Sequence, residues 1–104
     1  MISKLKELLG IKPAPDYVQL LKEGGVIIDV RSSAEFAGGH IKGSKNIPLQ
    51  TLTVNLNKLK NKDRPVITCC ATGMRSASAR SILRSKGFTQ VYNGGGWTSL
   101  NNKI

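Results

Sequence analysis

The sequence has few of the residues that hold metals or cross-link small folds. Its 104 residues include two cysteines and one histidine, His40. The cysteines, Cys69 and Cys70, are neighbours, and a disulfide between neighbours is strained because the Cα separation and dihedral angle lie far from their favoured values. Two thiols and one distant imidazole also fall short of a four-ligand structural metal site. We therefore expect no metal, no structural disulfide and a reduced, reactive thiol.

Long apolar runs, aromatic residues and late acidic residues are also scarce. No apolar run approaches the ~20 residues needed to span a membrane, and the charged N-terminal segment does not resemble a signal peptide. We therefore expect a cytoplasmic protein with no membrane partner. All six acidic residues lie at or before Asp63, and the net charge is +10. Because the basic residues are scattered and aromatics are few, we expect this charge to attract small anions rather than nucleic acid.

One stretch combines a strand, both cysteines and a helix. The apolar residues Val66 and Ile67 predict a buried strand, and apolar residues at helical spacing from Met74 to Lys86 predict a helix that Gly87 ends. The compact loop between them carries the thiols. Backbone N–H groups in such a loop, together with the helix dipole, favour a bound anion and lower the pKa of a cysteine there. This stretch is the candidate active site.

The rest of the chain predicts alternating helices and strands. An amphipathic helix over residues 2–9 and a Pro-containing connector are expected to form an N-terminal segment, 1–12, before a domain of residues 13–104. In that domain the patterns predict helices over 16–23, 34–36 and 49–59, strands over 26–30, 46–48 and 88–92, a loop over 93–96 and a terminal helix from Trp97. This alternation predicts a three-layer α/β/α fold with a mainly parallel sheet of four to five strands. Ligands then bind beyond the carboxyl ends of the strands, where residues 29–31, 40–43, 70–75 and 94–97 converge.

Several short motifs resemble the rhodanese family of sulfurtransferases. They are Asp29-Val30-Arg31, Glu35-Phe36, Gly39-His40-Ile41-Lys42-Gly43-Ser44, Asn46-Ile47-Pro48, Cys70-Ala-Thr-Gly73-Met-Arg75-Ser76, Gly87-Phe88 and Gly94-Gly95. They span about residues 15–97 in the family's order and spacing. The resemblance implies a single-domain, rhodanese-like fold with a five-stranded parallel sheet. Residues 10–15 offer little strand, so we expect the first edge strand to be very short or missing.

The resemblance also implies a reaction. A cysteine would take a sulfane sulfur from a donor such as thiosulfate and hold it as a covalent persulfide, with no further cofactor. It would then pass the sulfur to cyanide or to a thiol. The expected partners are thus a small anionic sulfur donor, a thiol or cyanide acceptor and, as a further candidate, a sulfur-relay protein.

Two registers of the loop predict different chemistry. With Cys70 as nucleophile, residues 70–75 form a six-residue loop that matches the family's Cys-x-x-Gly-x-Arg-Ser. With Cys69 as nucleophile, Cys69-x5-Arg75 matches a phosphatase-like or arsenate-reductase-like enzyme in which the arginine clamps an oxyanion. We favour Cys70, because Gly73 and Ser76 are in register with it and no Asp in or after the loop could act as a phosphatase acid. Cys69 is then a small strand-end residue or, alternatively, a resolving thiol, and a non-catalytic sulfur carrier is a third interpretation.

The predicted site has a nucleophile, an anion-binding loop and supporting residues. The nucleophile is Cys70, the loop comprises Ala71, Thr72, Gly73, Met74 and Arg75, and the supporting residues are Asp29, Arg31, Glu35 and Ser76. Arg75 is expected to add positive charge beside the thiolate. We expect Asp29 and Arg31 to tie neighbouring loops together and Glu35 to pair with Arg31. His40 is expected to bond to the backbone rather than to act as a base.

Overall fold

A four-stranded parallel sheet lies at the centre of the computed structural model, which describes residues 15–104. The strands are β1 (Val26–Asp29), β2 (Lys45–Asn46), β3 (Val66–Cys70) and β4 (Val91–Gly96), in the order β2-β1-β3-β4. The prediction of an α/β fold with a mainly parallel sheet is confirmed. The predicted N-terminal helix and connector lie outside the described residues, as does most of the segment assigned to the first edge strand.

Helices cover both faces of this sheet. They are α1 (Tyr17–Lys22), α2 (Ser33–Ala37), α3 (Met74–Ser85) and α4 (Trp97–Asn101). Because side chains alternate along a strand, Ile28 and Val66 face the layer that contains α3, while Ile27 and Ile67 face the layer that contains α1 and α4. This arrangement gives the three expected layers. No helix within residues 15–104 is long and apolar enough to cross a bilayer.

The last strand differs from its prediction over residues 88–92. Phe88 belongs to the turn that ends α3, where its N–H donates to the carbonyl of Leu83 at 3.1 Å, so β4 begins only at Val91. The strand then runs through the three glycines of the predicted loop. Gly94 is required there, because a Cβ atom would lie 2.9 Å from both Ile67 Cγ2 and the carbonyl oxygen of Thr68.

The helix predicted over residues 49–59 is instead two short 3-10 helices, Leu49–Val54 and Leu56–Lys58. The hydroxyl of Thr51 donates to the carbonyl of Pro48 at 3.1 Å, and the Asn55 side-chain amide donates to the carbonyl of Thr51 at 2.9 Å. Thr and Asn side chains that donate to nearby carbonyls compete with the backbone hydrogen bonds of a regular α-helix. The apolar spacing still buries Leu52 against the α3 layer.

Candidate active site

Cys70 lies where strand β3 meets helix α3, at the carboxyl edge of the sheet. Its register partner in β4 is Gly96. The chain turns sharply after Cys70 and enters α3 through Gly73, whose φ of +100° is left-handed. A Cβ atom on Gly73 would also lie 3.3 Å from the Cα of Gly95. Glycine is therefore required at this position by both its backbone conformation and its close neighbour.

Hydrogen-bond donors surround the sulfur of Cys70. The N–H of Gly73 donates to Sγ at 2.9 Å, and the N–H of Ser76 donates to it at 3.3 Å. The hydroxyl oxygen of Ser76 lies 3.4 Å from the same sulfur. The side chain is buried, but the next residues, Ala71 and Thr72, are exposed. The loop thus forms a cradle for a sulfur anion just beneath the surface.

These donors make Cys70 more acidic than an ordinary cysteine. Burial raises its pKa, but the hydrogen bond with the Ser76 side chain and those from the N–H groups of Ser76, Gly73 and Thr72 outweigh burial, so the pKa is lowered overall. The positive end of the helix dipole of α3 acts in the same direction. The thiolate form, which is the nucleophilic form of cysteine, is therefore favoured at this position.

Asn93 supports this cradle, although the sequence assigned it only to a glycine-rich loop. Its Oδ1 lies 2.6 Å from Ser76 Oγ and accepts from the N–H of Gly95 at 2.9 Å, and its Nδ2 donates to the carbonyl of Gly73 at 3.3 Å. The side chain thereby joins β4 to Gly73 and to the first turn of α3. The sequence signal that could have identified Asn93 is its position: a polar residue directly before Gly94, at the sheet edge where the other loops converge.

Glu35 pairs with Arg75, so the predicted side-chain pairing of Glu35 with Arg31 is wrong. The two guanidinium nitrogens of Arg75 donate to the two carboxylate oxygens at 2.7 and 2.9 Å. Glu35 also accepts from the N–H of Ser32 at 3.1 Å and so completes the cap of α2. The hydrogen bonds from Arg75, and then from Ser32, lower the pKa of Glu35 to about 2. The guanidinium of Arg75 thus binds the Glu35 carboxylate rather than the sulfur of Cys70.

Arg31 is committed to Asp29 instead. Its guanidinium donates to both carboxylate oxygens, with distances of 2.7 to 3.1 Å, and the pair is buried. Arg31 also donates to the carbonyls of Glu35 and Gly39 at 3.3 and 2.7 Å and lies 4.7 Å above the ring of Trp97. These bonds connect the end of β1 to α2, to the turn after it and to the start of α4.

Cys69 lies on the opposite face of the sheet from Cys70. It packs with Ile27, Ile67 and Leu100, with no exposed surface. Burial first, and the nearby charge of Asp29 second, raise its pKa to about 12. A buried, protonated thiol in an apolar layer is a poor nucleophile. Together with the Glu35–Arg75 pair, this placement disfavours the Cys69-x5-Arg75 phosphatase register.

The remaining predicted residues lie at the rim. Met74 is 80% exposed at the start of α3. The Nδ1 of His40 is 2.8 Å from the carbonyl of Phe36, and the two rings stack at 3.7 Å, so the expected backbone bond of His40 is confirmed. Gly39 lies against Trp97, where a Cβ atom would be 3.3 Å from the indole ring. The loops that the sequence assigns to this edge therefore do meet around α4.

Comparison with known proteins agrees with this geometry. The family model described as "Rhodanese-like domain" matches residues 14–103. An uncharacterized protein of Bacillus subtilis, YqhL, is 43% identical over 79 residues, which are 75% of this chain and 62% of YqhL. The thiosulfate sulfurtransferase GlpE of Pseudomonas fluorescens SBW25 is 35% identical over 79 residues, which are 75% of this chain and 72% of GlpE. The chain thus spans somewhat under two thirds of YqhL's length.

Two solved structures show the same fold. A rhodanese from Escherichia coli, solved with anions, superposes with a TM-score of 0.67 at 32% identity, covering 72% of this chain and 89% of that one. The human single-domain sulfurtransferase TSTD1 superposes with a TM-score of 0.67 at 26% identity, covering 86% of this chain and 93% of that one. With the parallel sheet and the loop at its edge, these matches establish that the chain belongs to the rhodanese family.

Proposed function

We propose that this protein is a sulfurtransferase in which Cys70 accepts a sulfane sulfur from thiosulfate and holds it as a persulfide. The observation that carries the proposal is the pair of N–H donors, from Gly73 and Ser76, at 2.9 and 3.3 Å from Cys70 Sγ. These donors stabilise negative charge on the attacking sulfur without any proton transfer at the moment of reaction. The relatives named thiosulfate sulfurtransferase support the same assignment.

In the first step, the Cys70 thiolate attacks the outer sulfur of thiosulfate. A sulfur–sulfur bond forms to Sγ while the bond between the two thiosulfate sulfurs breaks, and sulfite leaves with that electron pair. The product is a Cys70 persulfide anion. The net charge of +10, with no acidic residue after Asp63, favours the approach of an anionic donor.

In the second step, an acceptor attacks the outer persulfide sulfur. Cyanide leaves as thiocyanate, or a thiolate leaves as its own persulfide, and the Cys70 thiolate is restored with the electron pair of the broken bond. The same N–H donors stabilise the thiolate that leaves. The covalent persulfide carries the sulfur, so the proposed cycle uses no metal or organic cofactor.

Mass spectrometry of the intact protein tests the first step. After incubation with thiosulfate, we expect a one-sulfur adduct on the native chain and on Cys69→Ser, and none on Cys70→Ser. The Cys69 variant is the matched control because it removes the neighbouring thiol and keeps the loop. An undiminished adduct on Cys70→Ser, or no adduct on the native chain, would overturn the assignment.

Turnover separates an enzyme from a sulfur carrier. We expect thiocyanate to accumulate in large excess over protein when thiosulfate and cyanide are both supplied. A chain that is loaded by a persulfide donor but gives less than one thiocyanate per protein with thiosulfate would instead be a carrier.

A further inference from the structure

A cavity separate from the Cys70 cradle lies beside strand β4, between α1 and α3. Its volume is about 270 Å³, and within residues 15–104 its lining comprises Pro15, Tyr17, Arg80, Arg84, Tyr92 and Asn93. None of these six residues is acidic. The proposed sulfur-transfer steps use only the cradle around Cys70 and leave this cavity without a role.

The positive charges at this cavity are incompletely satisfied. Arg80 and Arg84 are one helical turn apart on α3, on the same side of the helix. The Nε of Arg80 is buried and has no hydrogen-bond partner within residues 15–104. Arg84 donates to the carbonyl of Val91 at 3.3 Å, and Lys103 places its ammonium 5.8 Å from the Tyr17 ring. Neither Arg80 nor Arg84 forms an ion pair with a carboxylate within residues 15–104, so the guanidinium charges at this cavity are not neutralised by the protein and favour an anion.

The lining also indicates what kind of anion fits. A phosphate offers three oxygens, which can accept from two guanidinium groups at once, whereas a carboxylate offers two. Beside the arginines stand two phenol rings, Tyr17 and Tyr92, which offer flat apolar surface. The volume exceeds what a bare phosphate needs. We propose that this cavity binds a small organic phosphate, with its phosphate at Arg80 and Arg84 and a planar group against the tyrosines.

The cavity adjoins the sulfur site through a single residue. Tyr17 donates its hydroxyl to the carbonyl of Asn93 at 3.4 Å, and the Asn93 side chain lies 2.6 Å from Ser76 Oγ at the Cys70 cradle. The two sites are nevertheless separate, because none of the six described lining residues contacts Cys70 Sγ. The inference therefore does not depend on the sulfur-transfer reaction.

A titration of the full chain with phenyl phosphate, followed by NMR, tests the proposal. We expect saturable shifts at Tyr92, Asn93 and the Arg84 side chain. Arg84→Gln should weaken binding about tenfold, because it removes a charge-assisted contact. The matched control is Arg64→Gln, which removes another arginine that donates to one backbone carbonyl, that of Gly24 at 2.8 Å. That control should leave the affinity unchanged.

Several outcomes would overturn the inference. They are shifts confined to the amides of residues 71–74, equal weakening by Arg64→Gln, or the absence of saturation. Benzoate tested in parallel checks the phosphate assignment, which fails if benzoate binds as tightly as phenyl phosphate. If Arg84→Gln does not fold, Arg80→Lys provides a second test, because it keeps the charge but removes the planar guanidinium donors. We expect weaker binding of phenyl phosphate, and an unchanged affinity would overturn the inference.

Discussion

Cys69 and Cys70 are adjacent in the chain and equally hidden from solvent, yet their chemical environments are opposite. Both side chains have 0% exposed surface. Burial raises the pKa of Cys69 to about 12, whereas the hydrogen-bond donors around Cys70 outweigh burial and lower its pKa. Solvent exposure therefore does not determine which cysteine is the nucleophile. The selection comes from which face of β3 carries N–H donors.

The pleat of the strand produces this contrast. Successive side chains point to opposite faces, so Cys69 enters the layer of Ile27 and Leu100, while Cys70 faces the start of α3. Cys70 therefore meets N–H groups at the start of α3, which a first helical turn leaves unpaired, whereas no hydrogen bond reaches the sulfur of Cys69 within residues 15–104. A one-residue shift of β3 would exchange the two thiols.

Alkylation should give the largest difference between the two thiols. With a pKa of about 12 against one below the ordinary thiol value, Cys69 has at least about a thousandfold less thiolate at neutral pH. The greater intrinsic reactivity of a less acidic thiol offsets part of this. We expect iodoacetamide to modify Cys70 at least about thirtyfold faster, as measured by peptide mass spectrometry.

The pH dependence and a denatured control complete this test. The alkylation rate at Cys70 should rise with pH and then reach a plateau. The midpoint of this rise should lie at a lower pH than the midpoint of a free thiol. In denaturant both cysteines should react at similar rates. Equal rates in the folded protein would contradict the contrast between the two faces.

The placement of Cys70, rather than Cys69, at the start of the anion-binding loop could be predicted from the sequence because it depends on local pattern. Gly73 and Ser76 follow at fixed spacings, and a strand, a tight turn and a helix start each leave a periodic or conformational signal. The parallel sheet and its layers were predictable for the same reason. The start of β4 was not, because Phe88 has the same apolar character in a strand as in a helix-ending turn.

Side-chain partners could not be predicted in the same way. The sequence offers two arginines as partners for Glu35. The pairing with Arg75 rather than Arg31 depends on how α2 is placed relative to α3. Asn93 is 17 residues from Ser76 in the chain, and only the β3–β4 pairing brings them together. Such contacts have no local periodicity, so sequence pattern alone carries little information about them.

Replacing Ser76 should weaken the contrast between the thiols. Ser76→Ala removes the hydroxyl that lies 3.4 Å from Cys70 Sγ and keeps the backbone N–H. The pKa of Cys70 should rise, and alkylation at neutral pH should slow about threefold to tenfold. The midpoint of the rate against pH should move upward. The loss of rate should shrink above the new midpoint, where the variant is also ionised.

Ser78→Ala is the matched control for this change. Ser78 lies on the same helix, is exposed, and its hydroxyl is 3.5 Å from the carbonyl of Met74, away from the sulfur. We expect its pH midpoint to equal that of the native chain. A midpoint that moves equally in both variants would show that general loosening of α3, not the hydroxyl, sets the acidity.

Removing the support of Ser76 should have a smaller effect in the same direction. Asn93→Ala deletes the acceptor at 2.6 Å from Ser76 Oγ and the donor to the carbonyl of Gly73. We expect alkylation at Cys70 to slow about twofold, because Gly73, whose N–H donates to Sγ, loses the amide that holds its carbonyl. Because Asn93 acts through Gly73 and Ser76 without contacting the sulfur, the double variant should lose less than the product of both effects. Fully multiplicative effects would instead mean that the two residues act independently on the thiol.

The smallest effect is expected from the ion pair that flanks the cradle without contacting the sulfur. Glu35→Gln removes the charge that meets Arg75 at 2.7 and 2.9 Å, but glutamine can still accept from Ser32 and cap α2. We therefore expect no change in the alkylation midpoint of Cys70. The variant should instead lower the melting temperature slightly, since the pair is more than one third exposed.

The pH dependence of that melting temperature identifies the cause. The pKa of Glu35 is lowered in the folded protein from about 4.5 to about 2, so its contribution is fully present above pH 4.5. It is lost as the pH falls from 4.5 towards 2, where the native chain and Glu35→Gln should melt alike. The control is Glu23→Gln, which removes an exposed carboxylate that forms no ion pair within residues 15–104. If the melting temperatures of the native chain and Glu35→Gln still differ at pH 2, the effect comes from helix capping rather than from charge, because protonation removes only the charge.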